Sequence, residues 1–339
     1  MISVERFTGA EEEWDLFAAR QKGYTHFHRL RWRALIGEVF GHECLYLAAR
    51  ESGELVGVLP LVRVRSVVFG HYLVSMPFLN YGGPLGTHSG IRALVDEAVS
   101  IARRENVKLL ELRSRVPLDI WLAASHRKIT VVLDVPADPE ALFRSFDAKL
   151  RSQIRRPQKE GVEVRFGQEQ VLPFFSVFAR HMRDLGTPTQ SLEFFRAIAE
   201  HFPEDCLFAC AYLGGRPVAA GCGFRFGDEF EMTWACSLRA YNREAPNMLL
   251  YWACMQRAID KGVKRFNFGR CTPGAGTHHF KMQWGGREEA LWWYGLGVTS
   301  DAATPSPHDS AFRFGPRVWR RLPESIATAF GPSIVRYIP

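Results

Sequence analysis

CLYLAARESGELVG (residues 44–57) and CLFACAYLGGRPVA (residues 206–219) align without a gap at an offset of 162. Five of the fourteen positions are identical, and a glycine turn falls at Gly53 in one and at Gly215 in the other. Further on, ARRENVKLLELR (102–113) aligns with AIDKGVKRFNFG (258–269) at an offset of 156. Identities are fewer there, but a helix end, a Val-Lys pair and alternating apolar residues are kept. Two matches in the same order at nearly one offset point to two copies of one α/β unit.

Each copy reads the same way locally. Residues 44–50 and 206–213 read as strands, followed by a glycine turn and a second strand over 55–64 or 217–226. In the second copy Gly227-Asp228 reads as a hairpin turn, after which Phe230, Met232 and Trp234 are expected on one strand face. A helix follows, with an apolar stripe of Ile91, Leu94, Val95, Ala98, Val99 and Ala102 in one copy. In the other the stripe is Met248, Tyr251, Trp252, Met255 and Ile259. A short strand over 107–112 or 263–268 completes the unit. The expected class is therefore α/β (α+β), with a mixed sheet flanked by helices in each copy. That order suits the small α/β fold of acyltransferases better than a doubly wound nucleotide fold. The expected boundaries are 1–138 for the first domain, 139–160 for a basic connecting helix, 161–300 for the second domain and 301–339 for a linker and basic-aromatic tail.

Composition agrees with a folded chain of this size. The 339 residues are 47% hydrophobic and 23% charged, which excludes disordered, collagen-like and coiled-coil classes. The net charge of +7 suggests an anionic partner. Residues 1–20 have no signal-peptide pattern and no apolar run approaches a membrane span, so a cytoplasmic location is expected. The seven cysteines sit among apolar neighbours and read as reduced, buried thiols, and no zinc-ligand spacing is present, so metal binding is not expected.

Chemistry concentrates in GRCTPGAGTHHFKMQWGG (269–286), a glycine-rich stretch at a strand end carrying Arg270, His278, His279 and Lys281. Phe280 and Trp284 anchor it. When an amine attacks an ester or thioester carbonyl, negative charge develops on the carbonyl oxygen, and a cation placed there stabilises the transition state. Lys281 is the candidate for that charge. His278 and His279 are candidates to accept the amine proton, although a structural or ligand-contacting role is the commoner one for each. Cys271 has no motif-linked base and reads as a core thiol.

This stretch resembles the closing motif of the FemAB family, a Gly-Arg start followed by Phe-Lys shortly before an aromatic-Gly. ARHMRDLGTP (179–188), PFLNYGGPLG (77–86) and APNMLLYWACMQRAIDKGVKRFNFG (245–269) are also similar to that family, and most closely to its group associated with exosortase and PEP-CTERM systems. The resemblance covers about residues 20–300. It implies two tandem GNAT-like domains, with substrates in the cleft between the copies. It also implies transfer of an aminoacyl or acyl group to an amine of a cell-envelope or exopolysaccharide precursor. Lys281 would then support the transition state at the acyl carbonyl, with Phe280 beside it. The donor would be aminoacyl-tRNA or acyl-CoA, with no resident cofactor. Expected substrate contacts are Arg270, His279, Trp284, Asn80 and Tyr81.

Two departures matter. YNREAPN (241–247) lacks every glycine of the pyrophosphate-binding turn that acetyl-CoA enzymes place before the crossover helix, and GTHSGI (86–91) resembles it only in part. The coiled-coil arm of some peptidoglycan-bridge enzymes is also missing. An acyl-CoA-dependent amino-sugar acyltransferase and a non-catalytic polyanion- or glycan-binding module therefore stand as alternatives. On the basic segment, Arg144, Arg151 and Arg155 are expected on one helical face, able to hold tRNA phosphates or a diphosphate. The tail is expected either to lie on the inner membrane surface or, preferably, to pack on the enzyme body, because Pro316, Pro323 and Pro332 interrupt a long amphipathic helix.

Overall fold

The computed structural model describes residues 1–66, 69–297 and 315–338 and divides into two compact units. In the first, strand β1 (Ile2–Arg6) and helices α1 (Glu11–Ala19) and α2 (Trp32–Phe40) lead to β2 (Glu43–Cys44), β3 (Leu47–Glu51) and β4 (Glu54–Leu59). Then come β5 (Leu61–Ser66), β6 (Gly70–Ser75), β7 (Leu85–Gly86), α3 (His88–Arg104), β8 (Leu109–Ser114) and β9 (Ala124–Ser125). The expected strand over 55–64 is broken at Pro60, which has no N–H to donate, and its halves β4 and β5 join two different sheets.

The second unit opens with β10 (Ile129–Asp134), then α4 (Pro139–Ser145), α5 (Ala148–Lys159), β11 (Glu163–Phe166), α6 (Val171–Leu185) and α7 (Leu192–His201). It continues through β12 (Cys206–Leu213), β13 (Arg216–Phe226), β14 (Glu229–Ser237), α8 (Pro246–Asp260), β15 (Arg265–Cys271), α9 (Gly276–Met282) and β16 (Arg287–Ala290). Its seven strands form one sheet in the order β11-β12-β13-β14-β15-β10-β16. The chain then returns as β17 (Trp292–Gly297) to pair antiparallel with β8 of the first unit.

The duplication holds for the central strands and the crossover helix. β3 and β4 carry a bulge at Ala49/Arg50, and β12 and β13 carry one at Ala211/Tyr212, again 162 residues apart. In each unit a parallel pair lies at the centre, β6 with β8 and β14 with β15. In each, the next strand of the sheet comes from beyond the sequence repeat: β17 lies against β8, and β10 lies against β15. This pairing moves the boundaries. Residues 129–138 fall in the second unit rather than the first, and the expected connecting helix is part of the second unit's body.

The helical stripes pack as their spacing predicts. Met248, Tyr251, Trp252, Met255 and Ile259 of α8 are all buried in one core with Phe230, Met232, Phe266 and Phe268. Burial of each such side chain is worth about 1.5–3 kcal/mol. The corresponding core of the first unit contains Leu94, Val95, Ala98, Val99 and Ala102 of α3.

Trp234 corrects the expected face. A bulge shifts the β13–β14 register between Met232 and Trp234, so period two is lost there. Trp234 packs instead against Phe194, Phe195 and Phe224.

The basic segment is two helices, not one. Asp138 accepts from the N–H groups of Glu140 and Ala141 and caps α4, with Pro139 at its first position. Asp147 accepts from Leu150 N–H at 2.6 Å and starts α5. Arg144 therefore belongs to a different helix from Arg151 and Arg155 and pairs with Asp138 at 3.4 Å. Replacing Asp147 with Ala is expected to lower unfolding free energy by about 1 kcal/mol in urea titration, with the m-value unchanged.

The expected linker over 300–310 lies outside the described residues. Of the tail, α10 (Gly315–Trp319) packs on α6, with Arg320 donating to the Leu185 carbonyl at 3.1 Å, and α11 (Glu324–Val335) follows. Among the described residues no helix is long and apolar enough to cross a membrane.

Candidate active site

β14 and β15 run parallel for only three residue pairs, Glu229–Arg265, Phe230–Phe266 and Glu231–Asn267. Beyond these, β14 remains paired with β13 and β15 with β10, so their facing edges part. A bulge lies at this point: the β10–β15 register shifts between Thr130 and Val132. Gly269, at φ 74°, occupies the bulge in a backbone region that suits glycine. A buried Asn267 side chain fixes it, accepting from Gly269 N–H at 2.8 Å and from the Thr130 hydroxyl, and donating to Glu229 at 2.8 Å.

The bulge presents the Gly269 and Arg270 carbonyls to one donor, Lys281. Its Nζ donates to Gly269 O at 2.6 Å and to Arg270 O at 3.0 Å. Lys281 is only 6% exposed. Burial lowers its pKa to about 8, against the opposing pull of Cys271 and Glu231. An ammonium has three N–H groups, and two are used here. The third meets no acceptor among the described residues.

Lys281 lies on α9, a short helix where sequence suggested only a loop. Its entry turn is held by His278, whose Nδ1 accepts from Gly274 N–H at 3.0 Å while Nε2 meets Glu288 at 2.9 Å. Both ring nitrogens are thus committed, and His278 serves as a staple rather than a free base. His279, next to it, is exposed.

The remaining expected contacts divide. Arg270 is half-buried at the end of β15. Phe280 is half-buried and packs edge-on to Tyr251, with centroids 5.0 Å apart. Trp284 is 1% exposed and sits in the core against Phe146 and Tyr251, so it supports α9 instead of meeting substrate. Arg151 and Arg155 lie on α5, away from β15 in sequence.

Asn80 and Tyr81 show why the first copy differs. There the corresponding strands part after Val74–Glu111, but the chain fills the space itself. Arg113 N–H donates to Ser75 Oγ at 2.8 Å, Gly82 N–H donates to Arg113 O at 3.0 Å, and Arg113 Nη1 donates to Leu79 O at 3.2 Å. The Arg113 guanidinium is buried against Glu111 and the Trp293 ring. Tyr81 is wholly buried beside Phe27, and Asn80 is buried on the same turn. Met76 and Phe78 take left-handed backbone conformations (φ 51° and 71°) to make this turn.

Sequence reasoning missed Thr130, Glu229, Glu231 and Asn267. A polar residue at 267 between Phe266 and Phe268 was the available signal.

Residues 144–282 match the acetyltransferase (GNAT) domain family. No curated protein matches the chain in sequence. Among solved structures, FemX is similar with a TM-score of 0.67 at 14% identity, over 87% of this chain and 98% of that chain. L-PGS from Bacillus licheniformis follows at 0.55 and 13%, over 92% and 98%. A tandem GNAT protein from the clavulanic acid biosynthesis pathway matches at 0.54 and 13%, over 88% and 100%. The chain thus has a tandem GNAT fold, and its residues 144–282 match the acetyltransferase (GNAT) domain family. That domain is the one carrying Lys281, and the expected likeness to FemAB proteins is met in fold by FemX.

Proposed function

We propose that the protein is an N-acyltransferase of FemAB type. It moves an aminoacyl or acyl group from aminoacyl-tRNA or acyl-CoA to an amine of a cell-envelope or exopolysaccharide precursor. One observation carries this reading: a nearly buried ammonium is pinned by two strand carbonyls, with one N–H left over, where two central strands separate. The amine forms a C–N bond to the acyl carbon, the carbonyl oxygen becomes an oxyanion, and Lys281 stabilises it through that third N–H. The C–O or C–S bond to the donor then breaks, the amine proton leaves to solvent or to exposed His279, and the leaving oxygen or sulfur departs with the donor. The envelope acceptor is supported by the fold shared with FemX and with L-PGS.

The test is a pH profile. Lys281 must be charged to hold the oxyanion, so kcat is expected to fall as pH rises through about 8. The Lys281→Met enzyme's residual rate should lack that limb. A limb of the same position in Lys281→Met would remove Lys281 from the reaction.

A further inference from the structure

The tail segment GPRVWRRLPESIATAFGP (315–332) carries three arginines against one glutamate, interleaved with Val318, Trp319, Leu322, Ile326 and Phe330. Pro323 separates α10 from α11, so the segment folds as two short helices and not as one rod.

Two glycines seat these helices at the end of α6. A Cβ at Gly186 would lie 2.5 Å from the Pro316 carbonyl oxygen, and one at Gly331 would lie 3.0 Å from the Thr189 backbone nitrogen. Arg320 adds its bond to the Leu185 carbonyl. On the inward side of α11, Ala327 and Gly331 are buried one turn apart. The large apolar side chains beside these seats are left outside the core: Leu185 is 40% exposed, Val318 61%, Ile326 42% and Phe330 63%. Ile326 and Phe330 are also one turn apart and share a flank of α11. Four of the eight large hydrophobic side chains exposed among the described residues thus belong to one corner of the second unit. Such a concentration marks an interaction surface.

The charge around the corner selects the partner. Arg317, Arg320 and Arg321 are exposed, and among the described residues none of them pairs with a carboxylate. Two copies of the chain joined here about a two-fold axis would set these arginines against one another, at a cost in repulsion. An anionic lipid surface takes both parts of the corner at once. Its phosphates accept from the guanidiniums, while the valine, isoleucine and phenylalanine side chains enter the acyl boundary. Short helices suffice for contact of this kind, which lies in the plane of the surface and crosses nothing.

We propose that the α10–α11 corner is a docking surface for a bilayer containing anionic phospholipid, with Val318, Ile326 and Phe330 inserted and Arg317 and Arg321 at the headgroups. The proposal goes beyond the acyl-transfer reading and is tested without catalysis.

The experiment is co-sedimentation of the full chain with vesicles of equal parts phosphatidylglycerol and phosphatidylcholine, and with vesicles of phosphatidylcholine alone. Saturable binding to the mixed vesicles is expected, weakening as salt is raised, with far less binding to phosphatidylcholine. Arg317→Ala/Arg321→Ala should bind the mixed vesicles about thirtyfold more weakly, since each basic residue near such a surface contributes about fivefold. Ile326→Ser/Phe330→Ser should bind at least about tenfold more weakly. Both pairs are exposed, so both variants should keep the wild-type urea midpoint. Lys281→Met should bind vesicles as the wild type does. The proposal is overturned if the mixed vesicles are not bound, if phosphatidylcholine alone is bound equally well, or if either double variant binds as the wild type does. It is overturned equally if sedimentation velocity without lipid shows a dimer that Ile326→Ser/Phe330→Ser dissolves, which would make the corner an interface between copies. Vesicle binding by a chain that transfers no acyl group would leave this surface standing and remove the catalytic reading instead.

Discussion

Lys281→Met is expected to reduce kcat by about 10²–10³ while leaving the fold intact. Methionine keeps the length and apolar stem of lysine, so α9 can stay packed through Phe280 and Trp284. The variant loses the charge and with it the two hydrogen bonds to the Gly269 and Arg270 carbonyls. Its stability should also lose a pH dependence that the wild type shows. Burial holds the Lys281 pKa at about 8, below its ordinary 10.5. The unfolded chain therefore binds the proton more tightly than the folded one. The charged side chain costs stability below about pH 8, and this cost is relieved as pH rises toward about 10.5. Wild-type unfolding free energy should increase across that window, and the increment should be absent in Lys281→Met. Steady-state kinetics and urea titrations at several pH values check both statements.

Asn267→Leu is expected to be the most damaging conservative change, lowering unfolding free energy by about 3 kcal/mol. The Asn267 amide is buried and satisfies three groups at once: Gly269 N–H, the Thr130 hydroxyl and the Glu229 carboxylate. Leucine fills the volume but leaves each of them without this partner, and Glu229 is itself wholly buried. The bulge then loses the bond that fixes Gly269, and the carbonyls that hold Lys281 lose their orientation. Urea denaturation should show the stability loss. Activity measured well below the melting temperature should fall as well, which would separate a positioning effect from simple unfolding.

Much of the architecture could be read in the sequence because it is periodic and repeated. The stripes of α3 and α8 and the paired glycine turns at Gly53 and Gly215 depend on local spacing, and they formed as expected. Features depending on distant partners were less legible. No local signal reveals that β10 pairs with β15, or that β17 returns to β8, because both pairings join segments from outside the repeat. The bulge that turns Trp234 away from Met232 is likewise set by register against β13. Asp147 was readable as a helix cap, yet the run of basic residues around it suggested one continuous helix.

The site divides along the same line. Lys281 stood out by its motif, and the structure places it where two strands part. Asn80 and Tyr81 belonged to an equally glycine-rich stretch, but in their copy the turn folds into the strand opening and buries them. Glycines permit a close approach of backbone to a ligand and of backbone to backbone alike. Only the hydrogen bonds of Gly82 and Arg113 distinguish the two outcomes.

The most direct test of the acyl-transfer account is mass spectrometry of the purified protein incubated with isotope-labelled aminoacyl-tRNA or acyl-CoA and a pool of amine-bearing envelope precursors. The account predicts that one of these donors binds saturably and that its labelled acyl mass appears on an amine in the pool. Failure of both donors to bind, or binding of a donor whose acyl group never leaves it with any acceptor, would contradict it.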